Sequence, residues 1–197
     1  MSEFIAYLQL GYEHITDLNG YDHILFVVAL CAIYRIWDWK RVLVLVTAFT
    51  VGHSITLALA TNKVITYSTD FIEFLIPVTI LVTCITNLFH ISSESVLQKE
   101  TFSPLRYPIA AGFGLIHGMG FSNYLRSLLG KDENIVMQLF AFNIGLEFGQ
   151  LIIVALVMAL SFLLLDGLKL KKQTWNLVVS SFVAGVAFKL MLDKWYF

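Results

Sequence analysis

Apolar runs of about 20 residues, cut by charged or turn-forming clusters, constrain this 197-residue chain more than any other feature. Crossing a hydrocarbon layer about 30 Å thick takes about 20 residues of α-helix. Within that layer every backbone polar group must be satisfied internally, which a helix does by itself. Six runs meet the requirement: about Gly20 to Trp37, Arg41 to Asn62, Asp70 to Ile91, Pro104 or Pro108 to Leu129, Ile135 to Leu165, and Thr174 to Trp195. The expected fold is all-α. It is a polytopic transmembrane bundle of about six spanning helices, forming a single integral membrane domain over residues 1–197, with membrane lipid as its surroundings. The segment FIAYLQLGYEHI before the first run is expected as a short interfacial or re-entrant helix over the outer face. Pro77 is expected to kink the third span.

Composition supports lipid as the solvent. Apolar residues make up 58% of the chain, mean hydropathy is +0.77, and 14% of residues are charged, against roughly a quarter in soluble domains. A net charge of -1 gives no reason to expect a nucleic-acid partner. Cys31 and Cys84 lie within apolar runs, where they are expected to pack as small apolar side chains. The first twenty residues carry Glu3, Glu13 and Asp17 and no basic cluster, so the expectation is that the first span serves as the targeting signal. No internal repeat or lipidation motif is evident.

Lysine and arginine in the connections set the expected orientation, because basic loops stay on the cytoplasmic side. One set of alternate loops holds 8 (Arg35, Lys40, Arg41, Lys99, Arg106, Lys169, Lys171, Lys172) and the other 5 (Lys63, Arg126, Lys131, Lys189, Lys194). The bias places both termini outside the cytoplasm. In a bacterial cell the corresponding location is the inner membrane.

Ionisable groups in hydrocarbon are costly, so each one within a span needs a partner and is a functional candidate. The second span places Thr50, His53 and Ser54 within one turn of each other, and the fifth carries Asn143, Glu147 and Gln150 at i, i+4 and i+7. His117 stands among Gly112, Gly114, Gly118 and Gly120, whose missing side chains allow close backbone approach. Asp22 and His23 open the first span, His14 lies just upstream, and Glu73 lies near the start of the third. At about 1.5 Å of rise per residue, His53, His117 and Glu147 fall near the midplane, with Asp22, His23 and Glu73 nearer the outer mouth. The stripe Thr79, Thr83, Asn87 reads as a helix-packing device, and His90 as an interface residue.

Imidazoles with carboxylates suit a divalent first-row metal such as zinc, nickel or cobalt. The candidate ligands are His14, Asp22, His23, His53, His117 and Glu147. Ser54, Glu73, Asn143 and Gln150 are candidates to orient them. Plainer roles are open as well: Asp22 as a helix cap, Glu147 as a neutral acid bonded to Asn143, and the histidines as cross-helix hydrogen-bonding groups.

Taken together, GYEHITDLNGYDHILF, VGHSITLALA, FGLIHGMGFS and FNIGLEFGQ resemble the HupE/UreJ family of bacterial membrane proteins. The resemblance runs from about Gly11 to Gln150. It implies nickel or cobalt transport across the inner membrane, and by position it implicates His14, Asp22, His23, His53, Glu73, His117, Asn143 and Glu147. Hydrogenase-associated members have a histidine-proline start and tighter spacing before the GxDH element. This chain has HITDLNGYDH instead and so resembles the broader branch.

The leading expectation is a divalent-metal permease with its site open to the extracytoplasmic side. The absence of GxxxxGK[ST] leaves the membrane potential, a proton gradient or a partner to supply energy. The alternative is an intramembrane zinc hydrolase or lipid- or peptide-modifying enzyme, with Glu147 or Asp22 as general base. A third class is an assembly subunit with a stabilising metal. A homo-oligomer or a further membrane partner fits any of the three.

Overall fold

The computed structural model describes residues 2–93, 104–129 and 135–195, without the side chains of 90–93. The side chain of His90 and residues Lys99 and Lys131 lie outside that set. The described residues form no strand and seven α-helices: α1 (Glu3–Thr16), α2 (Asp22–Cys31), α3 (Trp39–Thr61), α4 (Thr69–Ser93), α5 (Arg106–Leu128), α6 (Val136–Phe162) and α7 (Lys172–Asp193). A 3-10 turn, Ile36–Asp38, leads into α3, and a π turn, Leu163–Gly167, follows α6.

Four segments are long and apolar enough to cross a membrane: Ile36–Thr61, Thr69–Phe89, Val136–Gly167 and Lys172–Asp193. Their outward faces carry Val51, Phe148 and Phe182, each more than half exposed, a surface that suits lipid and not water. Cys31 and Cys84 are buried in the apolar core.

The largest departure from the six-span expectation is at the first run. Instead of one helix from Gly20 to Trp37, α2 has ten residues. Ten residues rise about 15 Å, half of a hydrocarbon layer. α1 runs beside the first part of α6: Gln138 donates to Glu3 at 2.7 Å, and Ile15 packs against Gly149. Gly149 is the midpoint of α6, so α1 ends level with the middle of that helix. There α2 begins, with His23 beside His117, itself level with Thr79 near the middle of α4. Residues TDLNG supply the break between them. The Asp17 carboxylate accepts from the Asn19 backbone N–H at 2.8 Å, a local turn that competes with helix. The two short helices thus meet level with the middle of α6.

Glycine sets how closely the helices approach. A Cβ at Gly11 (α1) would lie 2.0 Å from the Phe142 carbonyl oxygen, and one at Gly145 (α6) 1.9 Å from that of Leu8. The α3–α5 pair repeats the arrangement, with Gly52 2.0 Å from the Ala111 oxygen and Gly114 2.1 Å from the Phe49 oxygen. In both pairs each glycine meets the carbonyl three residues before its partner glycine, so one crossing is built twice. The two copies run in opposite directions. His53 stacks on Phe142, whereas Thr50, one turn earlier on α3, donates to Gln150, two turns later on α6.

The far end of α2 is fastened by side chains. The Asn87 amide donates to the Ala29 carbonyl at 2.8 Å, which also accepts from the Ala32 backbone N–H at 3.3 Å at the end of the short helix. The Arg106 guanidinium donates to the Asn87 carbonyl oxygen at 3.1 Å, and Asn176 donates to the Asn87 backbone carbonyl at 2.9 Å. The packing stripe read in α4 therefore gathers α2, α4, α5 and α7.

Gly114→Ala forces a methyl into a backbone oxygen and should destabilise the protein by about 3 kcal/mol or abolish folding. Gly112→Ala, with nothing within 4 Å of the added Cβ, should match or slightly exceed wild type. Thermal unfolding of the two variants in detergent checks the contrast.

Candidate metal centre

The break between α1 and α2 is where the histidines meet. One ligand atom each from His14, His23 and His53 lies within 4.8 Å of the others, the three-residue ligand group found among the described residues. Their ring centroids are 4.6 Å apart for His14–His23 and 5.9 Å for both His14–His53 and His23–His53. Around an ion at about 2.0–2.1 Å, tetrahedral nitrogens stand about 3.4 Å apart. The set therefore closes on an ion with movements of about 1.4 Å or less.

Hydrogen bonding shows which nitrogens are free. The Asp22 carboxylate oxygen faces His23 Nδ1 at 3.0 Å and also accepts from the His23 backbone N–H at 2.9 Å. A carboxylate can only accept, so Nδ1 carries the proton and Nε2 keeps its lone pair. His23 Nε2 is buried and unpartnered. A carboxylate behind a histidine is the common way to orient a ligating imidazole and raise its basicity. Asp22 thus stands behind His23, although the sequence reading had it as a ligand or a cap.

A similar argument applies to His117. Thr79 Oγ1 donates to the Ile76 carbonyl at 2.7 Å, which uses its one hydrogen, so at 3.0 Å it accepts from His117 Nε2–H. That leaves His117 Nδ1 with a lone pair, buried and unpartnered. Its ring lies 5.1 Å from that of His23, placing it beside the three-histidine group. His53 is fully buried and neither ring nitrogen has a partner, and His14 Nε2 is in the same state. Five ring nitrogens on four histidines are thus unpaired in the interior, where proteins normally satisfy such groups.

Aromatic rings wall the cluster. Phe121 lies 3.9 Å from the His14 ring, Phe26 and Phe49 lie 5.3 and 5.1 Å from His117, and Phe142 stacks on His53. This shell was not foreseen, because phenylalanine in an apolar run carries no distinguishing signal. The glycines around His117 act as expected at Gly114 and Gly118, whose absent side chains let α3 pass at the level of His53.

A cavity of about 310 Å³ connects the cluster to one end of the bundle. His14, Asp17, Asn19, Asp22, His23 and His117 line it around the cluster, and Glu73 and Lys194 line it toward the mouth. Glu73 belongs to the mouth, where its carboxylate accepts from Lys194 Nζ at 2.5 Å.

Glu147 and its neighbours stand apart from the imidazole group. Thr47 donates to Glu147 at 2.6 Å and Thr50 to Gln150 at 2.7 Å. These bonds tie α3 to α6, the first of them one turn from His53. Ser54 donates to the Thr50 carbonyl at 2.7 Å, and Asn143 Oδ1 is buried without a partner.

The whole chain, residues 1–197, matches the family model described as HupE / UreJ protein. It belongs to the HupE/UreJ family. No curated protein and no solved structure matches it. Membership agrees with the resemblance drawn from four motifs, three of which supply the histidines of the cluster.

Metal binding requires neutral imidazoles, so protons compete with it. Affinity for cobalt(II) or zinc should fall on acidification and be regained on return to neutral pH, because protons and the ion compete for the same lone pairs. Asp22→Asn should weaken binding about 10–100-fold without abolishing it. Competition titration against a chromophoric chelator measures both effects.

Proposed function

We propose that this HupE/UreJ protein is a permease for a divalent first-row transition metal, with nickel, cobalt and zinc as the candidate ions. The observation that carries the reading is the set of unpartnered imidazole nitrogens on His14, His23 and His53. The set gathers where α1 and α2 meet, which we read as mid-depth, and His14 and His23 line a cavity open to one end. Broken helices at the bilayer midplane are a recurring way to build a transport site. A static binding protein has no need of such a mouth.

The ion leaves water in steps. Carboxylates of Glu73 and Asp22 draw it into the cavity and offset its charge, and the imidazoles then replace its remaining water. His117 Nδ1 is available as a fourth nitrogen. The phenylalanine shell keeps other water out, so the ligands meet the ion in a medium of low dielectric where their attraction is strongest. Beyond His53, the Thr50–Gln150 and Thr47–Glu147 ladder offers oxygen groups in the direction of the far end. Thr47 is six residues from His53, about 9 Å along the helix, so Glu147 is read as a later carboxylate on the path and not as part of the first site. The distribution of lysine and arginine supports an extracytoplasmic mouth in the bacterial inner membrane, with the membrane potential drawing the cation inward.

A second reading rests on one observation. Three histidines beside a roomy cavity also describe a catalytic zinc site with an open water position. Zinc-loaded protein that cleaves a lipid ester or amide and moves no metal would favour that reading.

Reconstituted into liposomes with an inside-negative potential, wild-type protein should accumulate nickel, cobalt or zinc well above empty vesicles. His53→Ala should reduce uptake to the empty-vesicle level. Equal uptake by wild type, His53→Ala and empty vesicles would rule transport out.

A further inference from the structure

Among the described residues, the cavity above the histidines is lined by more negative than positive charge, and Lys194 is placed where an incoming ion must pass. Asp17, Asp22 and Glu73 contribute carboxylates to its lining, and Lys194 contributes an ammonium. Lys194 comes from just past the end of α7 and reaches across the mouth to Glu73 near the start of α4, at 2.5 Å. Both side chains are roughly half exposed, 50% for Lys194 and 40% for Glu73. An ion pair in that setting contributes little to stability. Below it, His23 is 4% exposed and lines the same cavity with an unpartnered Nε2. The carboxylate at the mouth and the ligand at the floor therefore face one space.

We propose that Glu73 is an outer docking site for the hydrated divalent cation and that Lys194 is its tethered competitor, so that the pair meters access to the histidine cluster. The proposal rests on the metal-site reading above. Its chemistry is simple exchange of cations on one carboxylate. A dication with its water shell outcompetes a single ammonium when it is plentiful, and Lys194 returns to Glu73 when the ion has moved inward. Because the two groups act on the approaching ion and not on the bound one, they should change how fast the cluster fills and leave its ligand field alone. Charge at a cleft mouth acts in this way on association rates, with a strong dependence on ionic strength.

Cobalt(II) reports both properties, since its visible spectrum reflects its ligands. Full-length protein in neutral detergent is mixed with cobalt(II) in a stopped-flow instrument. Lys194→Gln should raise the association rate about fivefold at low salt, and Glu73→Gln should lower it by a similar factor. Both differences should shrink at high salt, with the bound spectrum and dissociation rate of wild type retained. The double variant should fall between the two, which guards against a folding defect in either single variant. A normal wild-type spectrum with equal association rates in all four proteins would overturn the metering role alone. An altered bound spectrum in Glu73→Gln would overturn it by making Glu73 a ligand. No cobalt spectrum in wild type would overturn the metal site and the metering role together.

Discussion

Buried polar atoms without partners cost about 1–3 kcal/mol each, and this bundle gathers five unpaired imidazole nitrogens around one point. Apolar side chains of similar size at those positions would fold with less penalty. The arrangement is intelligible when the lone pairs are meant for an ion. A dication can take one lone pair from each of the four neutral imidazoles, which removes most of the penalty and adds binding energy, and Asp22 behind His23 lowers the net charge. The rest of the architecture serves this convergence. Glycine crossings bring α3 and α5 into backbone contact so that His53 and His117 share a level, and the α1–α2 break carries His14 and His23 to the same depth.

The doubled crossing gives the chamber a stiff frame. Contacts near 2 Å between a virtual Cβ and a carbonyl leave no slack within the α1–α6 pair or the α3–α5 pair. Between the pairs the joints are side chains: imidazoles, the Thr50–Gln150 and Thr47–Glu147 bonds, and phenylalanine rings. The repeated motif is invisible as a sequence repeat because it needs one glycine per helix and a fixed offset, and the residues around it are free to differ.

Much of the fold was legible from apolar run length, and α3, α4, α6 and α7 begin and end within a few residues of their expected bounds. The first run misled for a physical reason. Hydropathy counts apolar residues without registering that α2 stops at Cys31 or that a turn at Asp17–Gly20 separates it from α1. The polar inventory found every histidine of the cluster, because ionisable groups in apolar runs stand out. It could not rank them. Glu147 read as central because it shares mid-depth with His53, yet the side to which it turns is decided by Thr47 on another helix. Thr79 passed as a packing residue, and only its pairing with His117 shows that it sets a tautomer.

X-ray absorption at the edge of the metal bound to purified protein tests the convergence of His14, His23 and His53 most directly. The account predicts about one ion per chain in a shell of three or four imidazole nitrogens at about 2.0–2.1 Å, with the shell losing a nitrogen in His23→Ala. A shell of oxygen atoms alone, or one unchanged in His14→Ala, His23→Ala and His53→Ala, would contradict it.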